Sequence, residues 1–289
     1  MKKKLVLAMA ATMAITSCAV PVLADDAAAE GGKIGISMPT QSLERWNRDG
    51  SYLEEQFKAA GYDVELTYSD NETDRQVNDI QNLISDGVNL LVIAAIDGEA
   101  LNTVMDEAAD AGIPVILLDR KIDGDKYTQF IGADNVDMGR IAGEYIADTL
   151  LPDGGKVCEI KGLEGTSGGI DRDNGFREGI KKNDKIEIVA VNNADWLREK
   201  AITVAEEMLQ TNDEIDLFLA LNDPMAEGAY IAAKNAGREG DILFVGFDGL
   251  PTPDGGIRSV MDGRLSMTQV YPTGGTEAIE SAYQLLVEG

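Results

Sequence analysis

Three apolar runs in this 289-residue chain end abruptly in carboxylates or amides. Val115-Ile116-Leu117-Leu118 runs into Asp119-Arg120, Leu217-Phe218-Leu219-Ala220-Leu221 into Asn222-Asp223, and Leu243-Phe244-Val245-Gly246-Phe247 into Asp248-Gly249. Runs of this length and composition read as strands of a parallel sheet buried on both faces. In such sheets ligands bind beyond the carboxyl ends of the strands. The polar groups at that edge are therefore candidate ligand contacts.

Strand and helix patterns alternate along the rest of the chain. Strands are expected at 33–38, 62–68, 89–95, 113–119 and 127–133, with helices at 47–60, 73–86 and 99–111 between them. A second series follows: helix 135–150, strand 156–161, helix 169–182, strand 187–192, helix 197–210, strand 217–221, helix 224–236, strand 242–247 and strand 265–271. Gly61, Gly87, Gly112 and Gly237 each stand just after a helical run, where a left-handed closing residue is expected. Repeated βα units of this kind predict an α/β fold with helices on both faces of each parallel sheet. The series occurs twice, so the expected architecture is two Rossmann-like lobes joined by a hinge, with the ligand cleft between them. The expected N-terminal lobe is 33–133 plus 272–289, and the C-terminal lobe is 134–271. The chain would cross near 133–135 and again near 270–272.

The first residues have a different job. Met1-Lys2-Lys3-Lys4 followed by apolar Leu5 to Ile15 reads as an export signal, too short for a confident membrane span. Val22-Leu23-Ala24 suits cleavage after residue 24, leaving 25–32 as an acidic linker. Ile15-Thr16-Ser17-Cys18 also resembles a lipoprotein box, in which Cys18 would carry a lipid anchor. Either route exports the chain, to the periplasm or the outer face of a bacterial membrane. Cleavage after Ala24 leaves Cys158 as the one cysteine, so no intramolecular disulfide is available, and its strand setting reads as core. A formal charge of −26 makes nucleic acid and anionic lipid surfaces poor partners. With no histidine in the sequence, histidine triads and imidazole metal sites are excluded.

At the expected strand ends the polar residues converge. The loop after the first strand carries Glu44, Arg45 and Trp46, beside Asp119 and Arg120. The second lobe offers Arg172, Trp196, Asn222 and Asp248. The two tryptophans of the chain fall one to each lobe, so indoles from opposite walls could sandwich a flat, partly apolar ring. Carboxylates, guanidiniums and an amide around that ring suit a neutral polyhydroxylated ligand, because each hydroxyl both donates and accepts. Simpler roles stand beside these: an Asp119-Arg120 ion pair in a turn, Asn222 as a helix cap, Asp248-Gly249 as turn chemistry, and the indoles as core. Gln269 and Tyr271 share one face of the last strand, toward the cleft or not.

At these residues the chain resembles the periplasmic sugar-binding proteins of ABC transporters, of the ribose-, xylose- and galactose-binding type, over about 33–289. Glu44-Arg45-Trp46 is similar to the xylose- and multiple-sugar-binding branch. Ile131-Gly132-Ala133-Asp134-Asn135, Gly165-Thr166-Ser167, Arg172-Asp173-Asn174-Gly175-Phe176-Arg177 and Val245-Gly246-Phe247-Asp248-Gly249 are closer to the ribose-binding branch. The resemblance implies ligand contacts at Arg45, Trp46, Asp119, Arg120, Arg172, Trp196, Asn222 and Asp248. Where the family often offers Gln or Lys, this chain has Tyr271. No calcium loop is visible, so neither metal nor cofactor is expected. The family continues past the last helix with another strand and hinge crossing; this sequence stops at Gly289, so that crossing is expected to be missing from it.

The expected function is capture of a monosaccharide and its delivery to a membrane ABC permease, with a chemoreceptor or sensor as a further partner and no enzymatic step. The rival readings are a receptor for a non-sugar polar ligand, a glycosidase using Asp119 and Asp248, which needs no histidine, and a repressor-type effector domain. The leader, the acidic charge and the lack of a helix-turn-helix before Lys33 argue against the last.

Overall fold

The computed structural model describes residues 32–288, so the expected signal segment 1–24, Cys18 and all of the linker except Gly32 lie outside the described residues. Within them are two five-stranded, all-parallel sheets. The first holds β1 (Lys33–Met38), β2 (Asp63–Tyr68), β3 (Leu90–Ile93), β4 (Val115–Leu118) and β5 (Gln129–Ile131), in the order β2-β1-β3-β4-β5. Helices α1 (Glu44–Ala59), α2 (Thr73–Ser85) and α3 (Asn102–Asp110) connect its first four strands. The second holds β6 (Gly155–Lys161), β7 (Ile186–Asn193), β8 (Leu217–Ala220), β9 (Leu243–Asp248) and β10 (Met267–Val270). Its order, β7-β6-β8-β9-β10, repeats the first sheet strand for strand.

Burial explains the strand sequences. Every residue of β3, β4 and β8 is buried, which only a strand covered on both faces requires. Gly61, Gly87, Gly112 and Gly237 follow α1, α2, α3 and α7 (Asp223–Asn235) with positive φ, as their positions predicted.

Two crossings join the lobes. The first leads from β5 through Gly132-Ala133 into α4 (Asn135–Tyr145), where the Asp134 carboxylate accepts from Asp137 N at 3.0 Å and caps the helix. A wider turn at Ile146–Leu150 then extends the helix. The second crossing leads from β10 to α9 (Gly275–Tyr283), which packs on α1, β4 and β5 of the first lobe.

The tightest helix pair is α4 with α5 (Ser167–Gly179). A Cβ on Gly139 would sit 2.1 Å from Arg172 O, and one on Gly175 would sit 2.0 Å from Val136 O. The two backbones touch, and α5 is thereby fixed close to the hinge.

Several boundaries shift by a few residues, and two differences from the sequence expectation bear on the site. α1 begins at Glu44 rather than 47, because Leu43 is extended and its carbonyl accepts from Trp46 N at 3.1 Å and Asn47 N at 3.3 Å. Arg45 and Trp46 are therefore held by a helix, not a loop. A short helix, α8 (Gly256–Met261), stands between β9 and β10 where none was expected; six residues carry too little periodicity to read.

Candidate functional site: the interlobe cavity

The carboxyl ends of both sheets face one cavity of about 180 Å³. Glu44, Arg45, Trp46, Asp119 and Arg120 line it from the first lobe, and Arg172, Trp196, Asn222, Asp223 and Asp248 from the second. Glu44 is exposed at the mouth, whereas the others are buried. The lobes also meet directly beside the cavity. Lys121 N donates to Ser167 Oγ at 2.8 Å, and Gly98 N to Gly165 O at 3.3 Å.

The backbone at this site is strained. Asp119, Trp196 and Asp248 have φ of 67°, 69° and 110°, a region that side-chain-bearing residues seldom adopt. Arg120 N donates to Leu118 O at 2.7 Å across Asp119, closing a three-residue turn that sets two polar side chains at one strand end. Such strain gathers where geometry serves a ligand rather than the fold. Gly162, just past β6, gives the Trp196 indole its seat, since a Cβ there would lie 2.1 Å from the ring.

Three guanidiniums crowd the cavity floor. Arg45 Nη2 is 2.7 Å from Asp119 Oδ2, an ion pair too bent to count as a hydrogen bond, and Arg45 Nε is 3.4 Å from Asp49 Oδ2. Burial pulls the Arg45 pKa down, but Asp119 and then Asp49 more than offset it, so the group is held charged. Arg172 donates from Nε to Asn135 Oδ1 at 2.8 Å and from Nη1 to Leu221 O at 2.6 Å, with Asp248 Oδ1 at 3.8 Å. Arg120 has no ion-pair partner among the described residues. It donates to Ala95 O at 3.3 Å, and burial, reinforced by Arg45 and Arg172, pulls its pKa down to about 10.

The indoles do not enclose empty space. The Arg120 guanidinium lies over both rings, 4.9 Å from the Trp46 centroid and 5.6 Å from that of Trp196. The expected ring sandwich is thus shared with a cation, which each indole face attracts. Trp46 is 3% and Trp196 4% exposed, so both also serve as core, the simpler role left open above.

Tyr271, expected among the ligand contacts, is not among the residues that line the cavity, and its ring packs against Arg45 and Arg172. Its hydroxyl is spent on Ala133 N at 3.0 Å and Asp119 O at 3.4 Å. Gln269 likewise donates to Met138 O at 3.1 Å. Asn222 caps α7 by accepting from Met225 N at 2.9 Å while donating to Trp196 O at 3.0 Å, so it braces the indole as well as lining the cavity.

Asp223 ends the second of the three apolar runs beside Asn222 but stands outside the set of expected contacts, yet it is 3% exposed and lines the cavity. Its Oδ2 accepts from Gly249 N at 2.7 Å, while Oδ1 has no partner. Burial, and next the charge of Asp248, push its carboxyl well above the usual range, and burial also raises Asp248 against the pull of Arg172. The signal for it was available: an acid beside Asn222 at the end of a buried strand. Asp49 was missed too, because it lies one helical turn behind Arg45; burial lifts it to about 6 against the pull of that guanidinium.

Several buried polar atoms here have no partner among the described residues: Arg45 Nη1, Trp196 Nε1 and Asp223 Oδ1. Buried polar groups are costly to leave unpaired. A ligand offering both donors and acceptors answers that need.

Comparison with known proteins agrees in kind. Residues 34–289 match the family described as the periplasmic binding protein domain. The ribose import binding protein of Bacillus subtilis (strain 168) is 34% identical over 235 residues, covering 81% of this chain and 74% of its own. The D-allose-binding periplasmic protein of Escherichia coli (strain K12) is 33% identical over 225 residues, covering 75% and 72%. Among solved structures, the fructose-binding periplasmic domain of a hybrid two-component system superposes with a TM-score of 0.85 at 36% identity, over 89% of this chain and 85% of that one. The Caulobacter myo-inositol binding protein gives 0.82 at 26% identity, over 89% and 88%. With its paired parallel sheets and a family match along nearly all of the described residues, this chain belongs to the periplasmic binding protein domain family.

Proposed function

We propose that the chain captures a neutral monosaccharide between its lobes and delivers it to an ABC permease, without transforming it. The observation that carries this reading is the set of buried, unpartnered donors and acceptors on an aromatic-lined cavity whose guanidiniums face Asp119, Asp248 and Asp49. The charges roughly offset one another, so an uncharged hydroxylated ring is favoured over a sugar acid or an amine. Hydrogen bonds to charged groups contribute roughly 1.5–3 kcal/mol each. A few of them reach micromolar affinity, about −8.2 kcal/mol. The ribose and allose relatives support the substrate class. The closed contacts at Lys121–Ser167 and Gly98–Gly165 support lobes that shut over the ligand.

Export by the N-terminal leader, with Cys18 as an alternative anchor, belongs to the same reading, as do the ligand roles of Arg45, Trp46, Asp119, Arg120, Arg172, Trp196, Asn222 and Asp248. A sensor partner is favoured by one observation, the likeness to a domain of a hybrid two-component system. A cyclic polyol is the second ligand reading, favoured by the likeness to a myo-inositol binding protein.

A thermal-shift panel of D-ribose, D-allose, D-xylose, D-galactose, D-fructose and myo-inositol tests the reading. A ligand at 100 times its Kd adds about 2.7 kcal/mol of stability. A sugar that raises Tm, with a change in tryptophan emission, supports the proposal. Stabilisation by myo-inositol alone selects the polyol, and no response to any of them defeats both.

A further inference from the structure

Tyr271 stands just past β10, at the second crossing, and its bonds reach both lobes. Its N–H donates to Asp248 O at 2.9 Å. Its hydroxyl accepts from Ala133 N at 3.0 Å and donates to Asp119 O at 3.4 Å. One residue thus ties together the main chain of Asp119, of Asp248 and of the first crossing. Its ring is equally shared. The Arg45 guanidinium of the first lobe lies 4.4 Å from its centroid and that of Arg172, from the second, 5.2 Å. Gly132 leaves room for the hydroxyl, since a Cβ there would lie 3.0 Å from it. Burial, with Asp119 adding to it, pushes the phenol up to about 12, so the proton needed for donation stays in place.

We propose that Tyr271 is a positioning residue, which touches no ligand but holds the two carboxylate turns and two guanidiniums in register across the hinge. The proposal rests on the solute-binding reading above for its consequence, and on the geometry of the crossings for its cause. Its contacts separate it from ordinary packing. Its main-chain N–H bonds the second lobe at Asp248 O, while its hydroxyl bonds two main-chain atoms of the first, Ala133 N and Asp119 O. The two cations on its ring come from opposite halves of the cavity.

The test compares the full chain with Tyr271→Phe, which keeps the ring, and Tyr271→Leu, which removes it. Ligand-free hydrogen exchange at the Ala133 amide and small-angle scattering read the joint; stopped-flow dissociation of D-ribose and D-fructose reads the consequence. In Tyr271→Phe, Ala133 exchange is expected to rise about tenfold, the scattering to shift toward a more open form, and sugar release to quicken about tenfold. Association is expected to stay within about twofold and Tm nearly unchanged. Tyr271→Leu is expected to release sugar faster still. Unchanged exchange and release in Tyr271→Phe, or a loss explained by a general fall in Tm, overturns the proposal. If the wild-type chain binds no sugar, the functional reading falls, while Ala133 exchange and ligand-free scattering still decide the positioning role.

Discussion

Arg45 and Asp119 hold each other at 2.7 Å, nitrogen to oxygen, with both side chains buried. The pair joins the first turn of α1 to the strained residue after β4, elements more than seventy positions apart in sequence. It leaves Arg45 Nη1 without a partner among the described residues.

Removing one member of this pair leaves the other buried and poorly compensated. Asp119→Ala is expected to cost about 3–5 kcal/mol in urea unfolding, softened by Asp49 at 3.4 Å from Arg45 Nε. Arg45→Met in the same chain is expected to restore part of that loss. Additive losses in the double variant would remove the pair as a unit.

Asp248 faces Arg172 at 3.8 Å and has no other ion-pair partner among the described residues, so a ligand hydroxyl is its natural donor. Asp248→Ala is expected to weaken sugar binding by about 2–3 kcal/mol, read by titration calorimetry. Unchanged affinity would take Asp248 out of the site.

Gly139 allows α4 to meet α5 at the carbonyl of Arg172 itself. Gly139→Ala is expected to cost about 1–3 kcal/mol of stability through overpacking. Because Arg172 shifts with that carbonyl, the substitution is also expected to lower sugar affinity. A stability loss with affinity untouched would show that α5 yields without moving its guanidinium.

Glu159 lies fully buried in β6, and burial, then the neighbouring Asp173, push its carboxyl up to about 8 against Arg177 and Lys161. The folded state therefore keeps a proton that the unfolded chain releases near 4.5. Stability from this group is full below that point and is lost as pH rises toward 8. Asp173 is shifted down, so its own contribution changes only in acid, outside this window. The loss is on the order of a few kcal/mol. Urea midpoints at pH 5 and pH 8.5 check it: Glu159→Gln is expected to flatten the decline, and an equal decline in both proteins would assign it to other groups.

Much of the architecture was legible in the sequence, because doubly buried strands need apolar runs and helices between them need helical periodicity. Val115-Ile116-Leu117-Leu118 could hardly be anything but a covered strand, and Asp119 at its end could hardly be anything but an edge residue. The first helix was placed three residues late because neither Pro39 to Leu43 nor the polar Glu44-Arg45-Trp46 shows a helical stripe. The alternation rule gave the face of the strand on which Tyr271 stands but not where its phenol ends.

The sequence by itself determined two repeated βα series, their polar strand ends and the residue types that gather there. Periodicity is local, and it survives in one dimension. Only the tertiary structure decided that Arg120 lies over both indoles, that Asp223 lines the cavity with Oδ1 unpaired among the described residues, and that the Tyr271 hydroxyl bonds the first crossing and Asp119 O. Those outcomes depend on which of several nearby acceptors each buried group reaches first, and that competition exists only once the lobes have met.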